Sequence, residues 1–461
     1  MATTTVTTDR SDHETAESRA AEASIVRKVA WRVMPLIMVC YLFAFFDRIN
    51  ISFAKFALQS DLHLSDTAYG FGAGLFVVGY VLFEVPSNLM LFRVGARRWI
   101  TRIMVSWGVA TALMVFVQTE WQFYLLRFII GAMEAGFAPG VLFYLTLWFP
   151  VAYRGRITSM LFLASAFAGL FGAPVAGLVL SRLDGVMGLA GWHWLFLVGG
   201  LPCIVLGFVV FGVLKDRIED ARWLTAPERT TLAARIADQS RDIGHTSLRD
   251  ALKAPGFLTL GLIYFLIQVA SYGLNFWAPH LIRTSGSTDP TLIGLLTAVP
   301  YLCGAIAMVI VGRLSDASGE RRKFVAGLIG LAALGFFDKQ TSLLVCALGV
   351  MGAGVIASIP AFWALPPKLV TGAGAAGGIA LINTLGQLGG IVSPVVVGRV
   401  KDVTGSTTPA LYLIGLLSLV CAAILLFGLP DALRRKEVGG QPQPPSPAPD
   451  MKTPATAHPA H

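Results

Sequence analysis

Four residues able to do chemistry stand inside stretches that are otherwise apolar: Asp47 and Arg48, adjacent in one stretch, and Arg127 and Glu134, seven residues apart in another. A charge at bilayer depth costs at least about 2.5–3.5 kcal/mol on insertion scales, so an ionisable residue there is by default functional and faces a cavity. At about 100° per residue a spacing of seven returns to the same helix face, two turns and roughly 10 Å along. Arg127 and Glu134 therefore look the same way, and one cavity could hold all four groups. A guanidinium is a planar fork that grips a carboxylate through two hydrogen bonds, more selectively than the point charge of a lysine. That makes Arg48 the first candidate to hold an anion, with Arg127 behind it. Glu134 or Asp47 would carry a proton, because desolvation and a neighbouring arginine push carboxyl protonation in opposite directions. The alternative is two internal ion pairs that merely tie the two stretches together.

Polar and aromatic residues at comparable depth would complete the pocket: Tyr41, Tyr80, Gln268, Tyr272, Asn275, Trp363, Asn383 and Gln387. Asn383 and Gln387 share a helix face at a spacing of four, and an aromatic solute would use Trp363. The second half of the chain offers no central acid or base, so coupling chemistry is expected in the first half and selectivity in the second.

The elements that must position these groups follow from composition. The 461 residues are 55% hydrophobic and 14% charged, against roughly 25% charged in a soluble domain, and mean hydropathy is +0.67. Apolar stretches of about 20 residues, enough to cross a bilayer as helices, recur at 33–54, 67–91, 98–117, 121–144, 157–180, 193–214, 256–278, 291–312, 323–337, 341–366, 373–398 and 409–429. They are continuously apolar and Gly/Ala/Leu-rich, whereas a membrane barrel alternates with period two. The expected fold is an all-α integral membrane protein, twelve transmembrane helices in two six-helix bundles at 31–214 and 256–430. A cytoplasmic linker at 215–255 joins them, opening on Thr225-Ala226-Pro227-Glu228, a capping pattern that starts a helix. Residues 1–30 read as a disordered cytoplasmic arm without the apolar core of a cleavable signal, and 431–461 as a disordered Pro-rich cytoplasmic tail.

The net charge of +9 does not indicate nucleic-acid binding, because the basic residues concentrate in alternate short loops, as at Arg97, Arg98, Arg154, Arg156, Arg321 and Arg322. That is the positive-inside pattern, and it puts both termini in the cytoplasm. The opposite loops carry single cations such as Lys55 and Arg283, with Arg399 and Lys401 as a discordant pair. The five cysteines fall in apolar spans with no CxxC spacing, and His63, His193, His245 and His280, in loops or at span edges, have no metal-ligand spacing. No metal, cofactor or enzyme activity is expected, since no nucleophile–base set or phosphate-binding loop stands in a plausible context.

The two halves echo one another. After the eighth span, Gly312, Asp316, Gly319, Arg321 and Arg322 form G-x-x-x-D-x-x-G-x-R-R; after the second, Gly95, Arg97 and Arg98 repeat its end. Glycine permits the turn, and the cations can meet helix C-terminal carbonyls and an acid nearby, a latch that could hold one conformation. Gly169 to Gly177 around Pro174, and Gly389 to Gly398 around Pro394, form a second pair of small-residue segments that suit close helix packing. With the 6+6 split and Arg127-Phe128-Ile129-Ile130-Gly131, these motifs resemble the major facilitator superfamily over roughly residues 30–430. Phe46-Asp47-Arg48-Ile49-Asn50, Glu84-Val85-Pro86-Ser87-Asn88, Gly191-Trp192-His193-Trp194 and Asp220-Ala221-Arg222-Trp223-Leu224 are similar to its anion:cation symporter branch, the last most of all to tartrate and phthalate permeases. The resemblance implies a monomeric carrier in the bacterial inner membrane. It would import an organic acid anion such as tartrate, phthalate, a sugar acid or a hydroxyaromatic carboxylate with protons, by rocking two halves around a midplane site. The rivals are an anion exchanger or exporter of the same fold, and a non-transporting membrane sensor.

Overall fold

A continuous apolar segment in lipid must satisfy its own backbone hydrogen bonds, and the helix is how a single segment does so. The computed structural model describes residues 6–241, 256–318, 323, 325–327, 340–363, 365–366 and 373–428, and among them every long element is helical. The first half comprises α1 (Val6–Leu62), α2 (Asp66–Val94), α3 (Ala96–Ala112), α4 (Glu120–Glu134), α5 (Phe137–Trp148), α6 (Val151–Arg182) and α7 (Gly191–Val213). The linker contributes α8 (Ala226–Arg241). The second half comprises α9 (Phe257–Thr284), α10 (Pro290–Ser318), α11 (Thr341–Trp363), α12 (Ala373–Gln387), α13 (Gly389–Thr404) and α14 (Thr408–Ala423). Eleven stretches are long and apolar enough to cross a membrane, and they coincide with eleven of the twelve expected spans. The ninth, 323–337, lies largely outside the described residues.

Two expected elements differ. The fourth span is broken: Ala135 leaves the helical region and Gly136 takes a left-handed φ of 85°, so α4 ends at Glu134 and α5 restarts at Phe137. Apolar periodicity alone cannot register a two-residue break that keeps both pieces hydrophobic. The arm at 1–30, expected to be disordered, continues α1 back to Val6. Its Ala, Glu and Arg residues are strong helix formers, and Glu22 and Lys28 meet the linker: Lys28 Nζ lies 2.9 Å from Glu228, and Arg235 Nε 3.5 Å from Glu22. The linker start is the expected capping box, with the Thr225 N–H donating to Glu228 Oε2 at 2.7 Å and the Glu228 N–H to Thr225 Oγ1 at 3.4 Å. The Thr225 N–H, and then Lys28, hold the Glu228 carboxyl below its ordinary value. The end of the bundle that carries α8 is called the near end below. The tail at 431–461 lies outside the described residues.

At the far end the halves close on one another through backbone. A Cβ on Gly70 of α2 would stand 2.3 Å from the Pro394 carbonyl of α13, and one on Gly398 of α13 would stand 2.3 Å from the Asp66 carbonyl of α2. Between α6 and α10 the same holds for Gly177 and the Pro290 carbonyl, at 2.4 Å. A charge network reinforces the seam. Lys55 Nζ of α1 lies 2.6 Å from Asp66 and Lys401 Nζ of α13 2.9 Å from it. Asp402 accepts from the backbone N–H groups of Asp66 (3.1 Å) and Thr67 (2.7 Å) and from the Thr67 hydroxyl. Lys55 is not the loop cation its sequence position suggested: it lies within α1, has no solvent exposure and packs 3.6 Å over the Trp277 ring of α9. Apolar neighbours do not disclose where a helix ends, and α1 runs eight residues past its expected end. His280 likewise lies inside α9, 1% exposed and stacked on Phe56.

Candidate functional site

The central charges come from α1 and α4, but they pair differently from a set of two bridges. Arg48 Nε and Nη2 both donate to Glu134 Oε1, at 2.9 and 2.6 Å, while Glu134 Oε2 is buried without a hydrogen-bond partner. Asp47 turns instead to α3, accepting from Trp107 Nε1 at 2.9 Å and Thr111 Oγ1 at 3.2 Å, and its Oδ1 has no partner. Trp107 and Thr111 stand four apart and so share a face. Arg127 is 1% exposed, with Nε unpartnered and its guanidinium 4.9 Å from the centre of the Phe76 ring. The same ring lies 5.5 Å from the Arg48 guanidinium, and Tyr80 5.1 Å from it. Two cations thus approach one aromatic ring, each attracted by the ring quadrupole. At the centre, among the described residues, this leaves one ion pair and one carboxylate and one guanidinium outside any ion pair, all in the first half, and the Arg48 side chain keeps 19% exposure. Two carboxylate oxygens and an arginine nitrogen thus lack a protein partner at a depth where unpaired polar groups are costly.

The break after Glu134 gives this carboxylate the last position of α4, and Gly136 packs against the Ser87 side chain of α2. Of the remaining candidates, Tyr272 donates to Gln387 Oε1 at 2.8 Å, and Tyr272 is close enough to Arg48 to interact electrostatically. Asn275 accepts from Tyr301 at 2.5 Å and donates to Ser271 at 3.4 Å. Gln268 is 7% exposed with Oε1 unpartnered, and Tyr41 packs on Phe45 and Phe137. Trp363 packs its ring against Tyr264 and Phe362. Asn383 reaches across to the first half and donates to Glu84 Oε1 at 3.0 Å.

Glu84 was not among the candidates, although it meets the same insertion cost as the four that were. Trp107 and Thr111 gave no signal, since a Trp and a Thr inside an apolar span read as packing. Of the latch residues, Gly95 adopts φ 95° and ψ 148°, open to glycine alone, and the next turn is fixed by Asp216, which accepts the Arg97 N–H at 2.8 Å. Arg97 Nε donates to the Phe211 carbonyl near the end of α7 at 2.5 Å, while Arg98 is exposed. This copy therefore binds within the first half. In the second copy Gly319, Arg321 and Arg322 lie outside the described residues, and Gly312 and Asp316 fall on α10 with their side chains undescribed.

A family model described as Major Facilitator Superfamily matches residues 37–288 and 260–456. A protein of Agrobacterium vitis that carries the name tartrate transporter is 42% identical over 411 residues, 88% of this chain and 91% of its own length. A quinolone resistance transporter of Acinetobacter baumannii is 39% identical over 418 residues, 88% of this chain and 94% of its own. In fold alone, at 15% identity, the chain is similar to a crystal structure of a D-xylose–proton symporter, with a TM-score of 0.70 covering 88% of this chain and 99% of the other.

Proposed function

The chain belongs to the major facilitator superfamily and is a multi-pass membrane transporter of an organic solute rather than an enzyme, and on that premise we propose that it imports a small organic acid anion together with protons. The observation that carries this reading is the Arg48–Glu134 pair, in which a guanidinium already engaged by a carboxylate keeps exposure while the second carboxylate oxygen stays free. An incoming carboxylate competes with Glu134 for Arg48. Once displaced, Glu134 is a buried carboxylate that has lost its hydrogen-bonded counter-charge, and it takes a proton. Anion and proton thereby favour each other's binding, the linkage a symporter needs. Arg127 and Asp47 complete the site in the first half. Tyr80, Gln268, Asn275, Trp363, Asn383 and Gln387 shape selectivity. The similarity to a protein named for tartrate supports a hydroxy-dicarboxylate. On this reading the near end faces the cytoplasm of a bacterial inner membrane, the carrier works as a monomer, and the closed far seam is the outer gate.

The relative named for quinolone resistance favours a second reading, export of an aromatic carboxylate by the same site. Uptake into proteoliposomes of labelled tartrate, sugar acids, phthalate, hydroxyaromatic acids and a quinolone separates the two. Gradient-driven uptake of one acid, lost in Arg48→Ala and uncoupled from protons in Glu134→Gln, supports symport. Drug flux against an opposed proton gradient, with no carboxylate uptake, supports export.

A further inference from the structure

Glu84 lies on α2, one helical turn beyond Tyr80, and is 5% exposed. Along the helix it stands roughly 27 Å from Asp66, at 1.5 Å per residue, about one turn past the middle of α2 toward the near end. Its Oε1 accepts from Asn383 Nδ2 of α12 at 3.0 Å, so this bond crosses from one half to the other. Oε2 makes no hydrogen bond of normal geometry, although Thr384, the next residue of α12, is near enough to interact with the carboxyl. Asn383 stands four residues from Gln387, which Tyr272 holds. Glu84 thus sits at the edge of the proposed pocket, joined to one of its donors, and the site account above leaves it without a role.

An amide NH2 bound to a carboxylate makes the bond it would make to a carried carboxylate. A buried carboxylate also repels an anion that approaches the same donor. We propose that Glu84 is an internal stand-in for the substrate. Its carboxylate occupies Asn383 and ties the halves together past mid-depth while the site is empty, and the arriving anion takes Asn383 in its place, releasing the tether. Glu84 is then a positioning residue, setting both affinity and the coupling of binding to movement. This rests on the function proposed above.

The test uses the full chain with its five native cysteines replaced, in nanodiscs, with spin labels at Phe92→Cys and Leu314→Cys, exposed positions near the near ends of α2 and α10. Without any anion, Glu84→Ala lengthens or broadens the label-to-label distance, while Glu84→Gln, which keeps an acceptor oxygen for Asn383, leaves it as in the parent. An unchanged distance in Glu84→Ala overturns the tether. With tartrate as probe, the dissociation constant falls from parent to Glu84→Gln to Glu84→Ala, by about tenfold over the series, as expected for removing a charged competitor, while Asn383→Ala weakens binding. Weaker or unchanged tartrate binding in both Glu84 variants overturns the stand-in. If the parent binds no tartrate but the distance still responds to Glu84→Ala, the tether stands, while the stand-in and the carboxylate reading both fail for this probe.

Discussion

The protein holds two clusters of buried charge that differ in where their partners lie. At the centre, Asp47, Arg48, Arg127 and Glu134 all belong to the first half, and several of their atoms are unpaired. At the far end, Lys55 and Asp66 of the first half meet Lys401 and Asp402 of the second. Charges confined to one half can exchange partners with a solute while the halves stay still. Charges that straddle the seam must separate whenever it opens, so their strength enters every cycle. The central cluster should therefore govern what binds, and the far cluster how readily the carrier turns over.

The largest effect that would sharpen this division is expected from Arg48→Lys. It keeps the charge but loses the fork, and uptake of the transported acid should fall by about 100-fold, with weakened binding as the cause. A substrate affinity equal to the parent's would break the comparison. Next comes Lys55→Gln, which removes the buried cation between Asp66 and Trp277. Far-end opening should rise by about tenfold, the effect of losing the buried cation–π contact that Lys55 makes with Trp277 of the other half. A membrane-impermeant maleimide reads this as the labelling rate of Ser52→Cys, a position on α1 one turn before Lys55 that is 1% exposed, and binding affinity for the acid at the closed state should be unaltered. Tyr272→Phe deletes one neutral hydrogen bond to Gln387, about 1 kcal/mol, so KM should rise about fivefold with little change in maximal rate. A change in rate alone would move Tyr272 from the solute side of the division to the seam side.

The smallest effect lies outside the membrane. The Glu228 carboxyl is held below its ordinary value by the Thr225 N–H and Lys28. A group depressed in this way stabilises the folded contact at neutral pH and loses that contribution as pH falls through its lowered value. Hydrogen exchange of α8 should therefore be flat from neutral pH down to the ordinary carboxylate range and accelerate below it after correction for intrinsic rates, whereas Glu228→Gln should be insensitive throughout. Because the contact is exposed, high salt should blunt the difference.

How much of this was legible in the sequence depended on whether the signal was a property of one segment or of a pair. Span positions come from continuous apolar runs, and the described helices fall on eleven of the twelve. The capping box at Thr225 and Glu228 is local and was read directly. Partners across helices are not local: nothing in the spacing of Asp47 says that it turns to Trp107 and Thr111 of α3 while Arg48 turns to Glu134. Lys55 was misplaced because a basic residue near the edge of an apolar run has the same appearance in a loop and in a helix continuing inward. Glu84 was passed over inside a motif that seemed already accounted for by resemblance.

The seam of Gly70, Gly177 and Gly398 against facing carbonyls has a kinetic consequence. Where surfaces meet backbone to backbone they bury few rotamers and interlock no side chains, so outside the charge network parting them needs no unthreading. The same seam tolerates no thickness. One added methyl group at Gly398 would act as a wedge at the mouth of the carrier, propping the far side ajar and turning a two-stroke machine into one that stalls after the first stroke.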